Sequence, residues 1–450
     1  MDEGYLNVKV NVNYEKDEEK RELKVIYEIN EGNVIYVNRI YLEGNYITKD
    51  YVIKREIEIK EGEPLKAEKL RETQRRIYNL GFFQDVNVDF VPVKGKRNLV
   101  DVVITVEEQK TGIASLGAGY SSDSGMLMNF QLTQKNLFGR GQSLSFLWEI
   151  GERAKNYQIS FYEPWLFNKP YPFGFSLYNL IRKKEYKEEN VYDLYSEIRK
   201  GGDIRIGKYF LKIYSIHLEY SYEKVRIEDV ESDYMKERQA IALKKGRTSA
   251  ITLRIKRDTR DNIFDASRGS LYSFSWKIAG KILGGDNHFH KEIMEISYFF
   301  PLIWKFVLGF HFEGGKISPI SGSEVPMYEK FYIGGAETVR GYDYTGEIGP
   351  PEGGNLYLLG NIEIKFPLVQ EKGYTVLQGA VFFDTGGLWR SRKEIEFAFG
   401  EKEYNFKRGY GFGIRFKTPV FPIRLDWGRG LDHRKGEEES QWYFTIGQLF

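Results

Sequence analysis

From Thr111 to the end of the chain, apolar and polar residues alternate with a period of two, and turn-forming residues interrupt the alternation repeatedly. Successive strand residues point to opposite faces, so the pattern predicts strands with one apolar and one polar face. About sixteen such strands are predicted, an even number as membrane-spanning barrels of bacteria have. They cover residues 112–121, 126–135, 142–150, 156–163, 171–183, 192–206, 211–226, 247–257, 269–280, 288–300, 304–315, 355–366, 374–388, 405–417, 420–428 and 441–450. The sequence therefore predicts an all-β antiparallel transmembrane barrel over residues 111–450.

Hydropathy excludes membrane-spanning helices. No run of about 18 or more apolar residues occurs, and the mean hydropathy is −0.48. A barrel is compatible with this value because half of each strand faces a polar lumen. Aromatic residues make up 16% of the chain, which suits strands that end in aromatic belts at both membrane interfaces.

Charge and cysteine content exclude several classes of function. The 66 basic and 64 acidic residues leave a net charge of +2, so no nucleic-acid-binding surface is predicted. The absence of cysteine excludes structural disulfides, thiol catalysis and cysteine-ligated metals.

The segment 33–110 has a different pattern, β-α-α-β-β. Thr48 is a candidate N-cap for a short helix, and Pro64 is predicted to open a second helix that ends near Leu80. Strands are predicted at residues 34–42, 83–91 and 99–107. We therefore predict an α+β domain at 33–110.

Residues 1–32 partly repeat the closing hairpin of that domain. ELKVIYEINE matches LVDVVITVEE, and GYLNVKVNV matches GFFQDVNVDF. A repeat without its own first strand and helices is what a cut inside a tandem array would leave. The first ten residues also have no apolar core of a signal peptide, which an outer-membrane protein needs, so we expect the natural start to lie upstream.

The loop FYIGGAETVRGYDY at 331–344 carries one arginine among glycine and aromatic residues. A guanidinium remains charged and pairs bidentately with carboxylates. Alternation places Glu363 and Asp384 on the faces opposite the apolar residues of two following strands, so both are candidate partners for Arg340. The alternative is a surface loop whose arginine is solvated.

The VRGY tetrapeptide after a glycine pair, the FFDTGGLW strand and the terminal aromatic residue together resemble the outer-membrane assembly-factor superfamily, which includes BamA-type factors. The resemblance covers essentially the whole chain. It implies that loop 316–354 enters the barrel lumen. It also implies a clamp formed by Val339, Arg340, Gly341, Tyr342, Glu363 and Asp384.

The β-α-α-β-β unit with LGFF after its second helix resembles a POTRA domain. The resemblance implies that 33–110 is the membrane-proximal POTRA domain and that 1–32 is the C-terminal fragment of a preceding one. In that family these domains lie in the periplasm and bind client polypeptides or accessory lipoproteins, partly at a sheet edge. The alternative is a spacer that only positions the barrel.

The first and last barrel strands are predicted to meet at a weak seam, because both contain glycine and their register is poorly specified. The resemblance implies that this seam is a lateral gate, and we expect Leu116 and Ile446 to lie across it. The alternative is an ordinary closed seam. The candidate gate residues are Leu116, Gly117, Gly119, Phe444, Ile446, Gly447 and Phe450.

No catalytic motif is found: G-x-S-x-G, Walker and H-E-x-x-H sequences are absent. His288 and His290 share one strand face, but no third metal ligand lies nearby. The Gly117-Ala118-Gly119 sequence opens no helix and is a weak nucleotide signal. We therefore predict a protein that is not an enzyme and has no cofactor or metal.

The prediction as a whole is a bacterial outer-membrane protein assembly factor that folds and inserts barrel clients through POTRA docking and a lateral gate. Its predicted partners are unfolded outer-membrane proteins, accessory periplasmic lipoproteins, and a bilayer with lipopolysaccharide. The alternatives are a TamA-like or two-partner-secretion-like transporter, a passive porin and, third, an outer-membrane enzyme.

Overall fold

A computed structural model describes residues 5, 9–17, 22–96, 98–121, 125–188, 191–211, 213–263, 265–320, 322–344, 346–371, 374–416 and 423–446. The chain divides into two compact units. Residues 1–113 and 133–144 form one unit, and residues 114–132 and 145–450 form the other.

The first unit begins with an antiparallel hairpin of β1 (Lys9–Asp17) and β2 (Glu22–Asn30). The elements that follow are β3 (Tyr36–Glu43), α1 (Asp50–Lys54), α2 (Ala67–Asn79), β4 (Phe83–Pro92) and β5 (Leu99–Glu108). This order confirms the predicted β-α-α-β-β arrangement. Strand β5 is central, with β3 parallel to it on one side and β4 antiparallel on the other.

The core of this domain lies between the sheet and the two helices. Because alternate residues of β5 point to the same face, Val100, Val102, Ile104 and Val106 are all buried on the helix side. The helices contribute Val52, Ile53 and Ile77 to the same core.

Both helices begin later than predicted. Lys49, not Thr48, is the N-cap of α1, and the buried Thr48 accepts a hydrogen bond from Asn136 Nδ2 (2.8 Å), within the same unit. Pro64 forms a β-bridge with Tyr36, and the next residue donates its N–H to Ile35 (2.8 Å). This segment is therefore extended, and α2 begins only at Ala67.

The carboxylate of Glu108 organises the turn before α1. It accepts the backbone N–H groups of Ile47 (2.9 Å) and Thr48 (2.6 Å). Burial by itself would raise the pKa of Glu108, but the hydrogen bonds from Thr48 and from these N–H groups outweigh it and hold the pKa below its ordinary value of 4.5.

We expect the order of this turn to be lost in acid. A carboxylate whose pKa is lowered by folding stabilises the fold above its unfolded pKa, and this contribution disappears as the pH falls through the folded value. At neutral pH, the Glu108→Gln variant should exchange the amides of residues 46–49 about tenfold faster than wild type, as expected for loss of a charged hydrogen bond. Hydrogen–deuterium exchange at matched pH should show that the exchange rates of these amides in the two proteins approach each other below pH 4.5. Equal exchange rates at neutral pH would contradict the conclusion that the Glu108 carboxylate orders this turn.

The strands that follow form an antiparallel barrel, and most of their residues belong to the second unit. The strands are β6 (Gly112–Ser121), β7 (Gly125–Leu137), β8 (Gln142–Gly151), β9 (Ala154–Glu163), β10 (Phe173–Glu188), β11 (Val191–Phe210), β12 (Tyr214–Glu228), β13 (Arg247–Asp258), β14 (Gly269–Ala279), β15 (Phe289–Pro301), β16 (Val307–Pro319), β17 (Leu356–Glu371), β18 (Tyr374–Trp389), β19 (Glu396–Phe399), β20 (Asn405–Phe416), β21 (Ile423–Gly430) and β22 (Ser440–Ile446). Single 3-10 turns lie at Leu166–Asn168, Lys281–Leu283, Ile303–Lys305, Met327–Glu329 and Arg392–Glu394.

Sixteen of these strands form the barrel wall, in sequence order and closed by β22 against β6, which confirms the predicted fold class. The short β19 is additional: it pairs in parallel with β20, while β18 pairs directly with β20. Between the predicted strands 211–226 and 247–257, where no element was predicted, the structure has a helix, α3 (Asp233–Lys245), which buries Met235 and Ala242. No helix in the described ranges is long and apolar enough to cross a membrane.

The largest connection, residues 320–355 between β16 and β17, is packed inside the barrel. Its residues Ile333, Val339, Tyr342 and Ile348 are buried. They form one apolar cluster with residues that project inward from the wall, among them Phe289 of β15. We call this connection the lumen loop.

Candidate functional site

The tip of the lumen loop carries the predicted arginine. Arg340 is 4% exposed, and it donates from Nε (2.7 Å) and Nη2 (2.9 Å) to the two carboxylate oxygens of Asp384. Its backbone N–H donates to the same carboxylate (3.1 Å). This is the bidentate fork that guanidinium and carboxylate geometry favours.

Two further carboxylates complete the coordination. Nη1 of Arg340 donates to Asp426 (3.1 Å) and, at 3.3 Å, to Glu363. The guanidinium also lies over the ring of Phe382, 3.2 Å from its centroid, which adds a cation–π contact. We call Arg340, Glu363, Asp384 and Asp426 the Arg340 clamp.

Two wall arginines balance the charge of the clamp. Arg415 of β20 donates two hydrogen bonds of 2.6 Å to Glu363, and Arg424 of β21 donates to Asp426 from Nε (2.8 Å). Each carboxylate therefore faces at least one guanidinium. Buried charges are tolerated when they are paired and hydrogen-bonded in this way.

The structure places Glu363 and Asp384 on the lumen face of β17 and β18, where alternation had placed them. The sequence analysis did not identify Asp426, although the sequence IRLDWGRG of β21 shows the same alternation of polar and apolar residues. There Arg424 and Asp426 alternate with Leu425 and Trp427. The alternation that identified Glu363 and Asp384 also identifies Asp426 as a candidate acceptor when it is applied to this strand.

Glycine allows the tip to approach the wall closely. Gly341 has a φ of 98°, which side-chain-bearing residues rarely adopt. On the wall, a Cβ at Gly409 would overlap the carbonyl oxygen of Arg340, and a Cβ at Gly428 would overlap the backbone nitrogen of Gly341. The tip backbone thus lies directly against the backbone of β20 and β21.

The other tip residues hold the loop to neighbouring strands. Val339 is fully buried, and Tyr342 accepts a hydrogen bond from Asp432 N–H (2.9 Å) and donates to the carbonyl of Arg408 (3.0 Å). Gly341 N–H donates to the hydroxyl of Tyr443 on β22 (2.9 Å). The tip is therefore in contact with β17, β18, β20, β21 and β22.

The lumen loop has a second anchor that sequence reasoning missed. Glu329 is 3% exposed, and its carboxylate lies 2.9 Å from Lys277 Nζ, 3.5 Å from Lys291 Nζ and 3.8 Å from Arg199 Nη1. We call these four residues the Glu329 anchor. Arg199 in turn contacts Glu197 (2.6 Å) and Glu223 (3.2 Å). Strands β11, β14 and β15 thus hold one end of the loop, and β17, β18, β20, β21 and β22 hold its tip.

Two predicted seam residues, Leu116 and Ile446, are not opposite each other in the structure. In the register of β22 and β6, Thr445 is opposite Ser121 and Ile446 is opposite Tyr120. Leu116, which is 77% exposed, lies four residues further along β6, roughly 13 Å from the row of Ile446. The expectation that Leu116 and Ile446 face each other is therefore wrong. Alternation alone cannot set the register between two strands that close a barrel.

The remaining gate candidates are spread over the same two strands. Gly117 and Gly119 lie on β6, and a Cβ at Gly117 would contact Asn129 of β7. Phe444 lies on β22 with its ring 6.0 Å from that of Tyr120 across the seam. Gly447 and Phe450 lie outside the described residues.

His288 lies one residue before β15, and its Nδ1 accepts the backbone N–H of Lys281 (2.9 Å). Across the described ranges, no group of three His, Cys, Asp or Glu side chains has the geometry to hold a metal ion.

Comparison with known families and proteins agrees with this architecture. The model of the Omp85 superfamily domain matches residues 136–450, and a POTRA model, described as a surface antigen variable number repeat, matches residues 35–109. The chain is 29% identical to the outer membrane protein assembly factor BamA of Nitratidesulfovibrio vulgaris over 462 residues, which cover 100% of this chain and 56% of that protein. It is 26% identical to the sorting and assembly machinery component 50 homolog A of Xenopus laevis, over 91% of this chain and 85% of that protein.

Among solved structures, BamA from Haemophilus ducreyi lacking POTRA domains 1–3 superposes with a TM-score of 0.84 at 22% identity, covering 100% of this chain and 91% of that one. That likeness shows the fold. The chain spans somewhat over half the length of the curated BamA relatives that it matches, 56% of one and 60% of another. The family model covers most of the barrel, and the resemblance seen in the sequence is confirmed: the chain belongs to the Omp85 superfamily and is of the BamA type.

Proposed function

We propose that this protein is an outer-membrane assembly factor that folds and inserts β-barrel proteins at the seam between β6 and β22. The observation that carries the proposal is the composition of the seam. Strand β6 brings Gly117, Ala118 and Gly119 towards the seam pair of Tyr120 and Ile446, and such small residues bury little area against a neighbouring strand. A strand edge that is weakly held on one side offers backbone donors and acceptors to an incoming strand.

Relatives of the chain support the same role, since proteins named as outer membrane protein assembly factors match along its whole length. We infer from them that the barrel lies in the bacterial outer membrane with residues 1–110 in the periplasm. Clients would be unfolded outer-membrane proteins. Accessory lipoproteins and lipopolysaccharide are further proposed partners.

The POTRA region is suited to binding an extended segment of a client protein. Segment 33–110 is proposed as the membrane-proximal POTRA domain, and 1–32 as the end of a preceding one, because β1 and β2 form a hairpin like that of β4 and β5. In the sheet of 33–110, β3 and β4 are the edge strands. An extended client segment can add to such an edge through main-chain hydrogen bonds.

No nucleotide or metal chemistry is needed for this function. Folding of the client and burial of its apolar face in lipid release free energy, and the seam supplies a template. We therefore propose that the protein is not an enzyme and works without a cofactor.

The test is insertion of an unfolded outer-membrane barrel into liposomes that contain this protein. The register places a seam disulfide at Ser121→Cys with Thr445→Cys. We expect wild type to accelerate insertion, the oxidised variant to slow it at least tenfold, and reductant to restore it. The matched control is Ser160→Cys with Ser176→Cys, a register pair of lumen-facing serines between β9 and β10, which should leave the rate unchanged.

Each failure has a distinct meaning. Acceleration that survives the seam disulfide would place the activity in the POTRA region. No acceleration by wild type, together with a large steady conductance indifferent to the disulfide, would favour a porin. Passage of an unfolded protein through the barrel would favour a transporter.

A further inference from the structure

Two basic side chains point outwards from the barrel wall near one end of the barrel. Lys208 lies two residues before the end of β11, and Arg257 lies one residue before the end of β13. Both strands run toward the end at which β6 begins, because the strands are antiparallel and follow in sequence order. Arg205 of β11 and Arg254 of β13 face the lumen, where they contact polar side chains of neighbouring strands. Because Lys208 and Arg257 each lie three residues further along, they point to the outer face.

Arg257 lies between two tyrosine rings on this outer face. It is directly opposite Tyr214 of β12 and Tyr272 of β14 in the register of the sheet, and both tyrosines are exposed. The guanidinium carbon is 6.0 Å from the centroid of the Tyr214 ring and 5.6 Å from that of the Tyr272 ring. Nη1 donates to Ser270 Oγ (2.9 Å), which uses one of the five N–H donors of the guanidinium.

Lys208 has a similar aromatic environment two strands away. Its Nζ is 5.4 Å from the centroid of the Tyr171 ring and 4.9 Å from that of the Phe210 ring. Phe210 is in register with Tyr214, and Tyr214 is in register with Arg257. Two strand spacings and two residues along β11 therefore separate the Cα atoms of Lys208 and Arg257 by roughly 12 Å. Two long side chains can bridge this separation through one lipid headgroup.

The contacts that the described residues make with these two cations are with neutral groups, namely aromatic rings and one serine hydroxyl. An aromatic ring attracts a cation without neutralising its charge. On the lumen face of the same strands, Arg205 contacts Asp203 and Arg254 contacts Glu219, each at 2.8 Å. The lumen-facing arginines thus have carboxylate partners, and an anionic group from outside the chain would stabilise the two outward-facing cations.

We propose that Lys208 and Arg257 form a binding site for the phosphate of an anionic phospholipid in the leaflet that faces the periplasm. Aromatic belts lie at the headgroup level of a membrane, and long basic side chains there extend their charged ends toward the lipid phosphates. A guanidinium matches phosphate oxygens bidentately, and an ammonium adds a second positive charge. This inference rests on the proposed function only for the orientation of the barrel, which puts this end on the periplasmic side.

The test is native mass spectrometry of the whole chain, equilibrated in detergent with equal amounts of dioleoylphosphatidylglycerol and dioleoylphosphatidylcholine. We expect wild type to retain phosphatidylglycerol preferentially. In Lys208→Gln with Arg257→Gln, the affinity for phosphatidylglycerol should fall roughly tenfold or more, the effect of two basic residues on an anionic lipid. The charge-retaining variant, Lys208→Arg with Arg257→Lys, should bind within roughly threefold of wild type, because both positive charges remain.

The matched control is Arg205→Gln with Arg254→Gln, which removes two positive charges from the lumen face of the same two strands and should leave phosphatidylglycerol binding unchanged. Equal losses in the two glutamine variants would overturn the site, because net charge alone would then attract the lipid. Equal retention of the two lipids by wild type would also overturn it. The assay needs no client protein, so a chain that binds the lipid here without accelerating insertion would contradict the proposed function and leave the site intact.

Discussion

Replacing Arg340 with glutamine is expected to destabilise the barrel by about 3–5 kcal/mol, the usual effect of removing one partner from a buried ion pair. Asp384 and Asp426 are fully buried, and both accept hydrogen bonds from Arg340. Glutamine cannot neutralise them, and it cannot donate through three nitrogens. The lumen loop should leave the wall, and β22 should lose the contact made through Gly341.

The measurement is guanidinium-induced unfolding in phospholipid vesicles, followed by tryptophan fluorescence. Arg340→Lys should recover only part of the stability, because an ammonium group cannot form the bidentate fork. Arg254→Gln is the matched control: Arg254 also contacts a carboxylate, Glu219 at 2.8 Å, but its side chain is 48% exposed. The control should change stability by about 1 kcal/mol or less.

A double variant tests whether the clamp acts as a unit. Arg340→Gln combined with Asp384→Asn removes a buried charge of each sign, so it should destabilise less than the sum of the two single variants. If Arg340→Gln behaves like Arg254→Gln, the clamp is not a stabilising element, and the loop is held by its apolar contacts.

The second large effect is expected at the Glu329 anchor. Glu329→Gln leaves Lys277, Lys291 and Arg199 facing one another without this carboxylate between them. We expect a loss of about 3 kcal/mol or more, because buried like charges are strongly unfavourable when a counter-charge is removed. The loop should loosen first near Met327–Glu329.

Unfolding in guanidinium measures the loss of stability in Glu329→Gln, and hydrogen–deuterium exchange of residues 326–333 measures the loosening of the loop. Glu337→Gln is the matched control in the same loop: its side chain is 68% exposed, and its ion pair with Arg424 lies at 2.9 Å. It should change stability by about 1 kcal/mol or less. Similar losses in both variants would show that burial of the Glu329 anchor contributes little.

The two anchors hold the lumen loop to different sets of strands. The Glu329 anchor holds it to strands in the middle of the chain, and the Arg340 clamp holds it to strands near the C-terminal end. Because the loop is packed on both sides, displacement at one anchor strains the other. We infer that the loop braces the barrel across its interior.

Much of the architecture was determined by local patterns in the sequence. The alternation that identified β6 to β18 and β20 to β22 is a property of neighbouring residues, and it placed their boundaries within a few residues of those observed. The same alternation found Glu363 and Asp384, because the orientation of a strand residue follows from its parity. Helix α3 was missed because its apolar residues show little helical periodicity. Its partner surface comes from residues distant in the sequence, among them Tyr186, Val225 and Tyr328.

Tertiary structure alone decided the register at the seam, the second anchor and the partner of Tyr443. The seam register depends on how sixteen strands tilt and close, so no stretch of sequence contains it. Arg199 and Tyr328 are 129 residues apart, yet Arg199 donates to the Tyr328 carbonyl at 2.5 Å. Residues so distant in sequence meet only after the barrel has closed around the loop. Local sequence patterns therefore specify which residues can face the lumen, and closure of the barrel selects which of them touch.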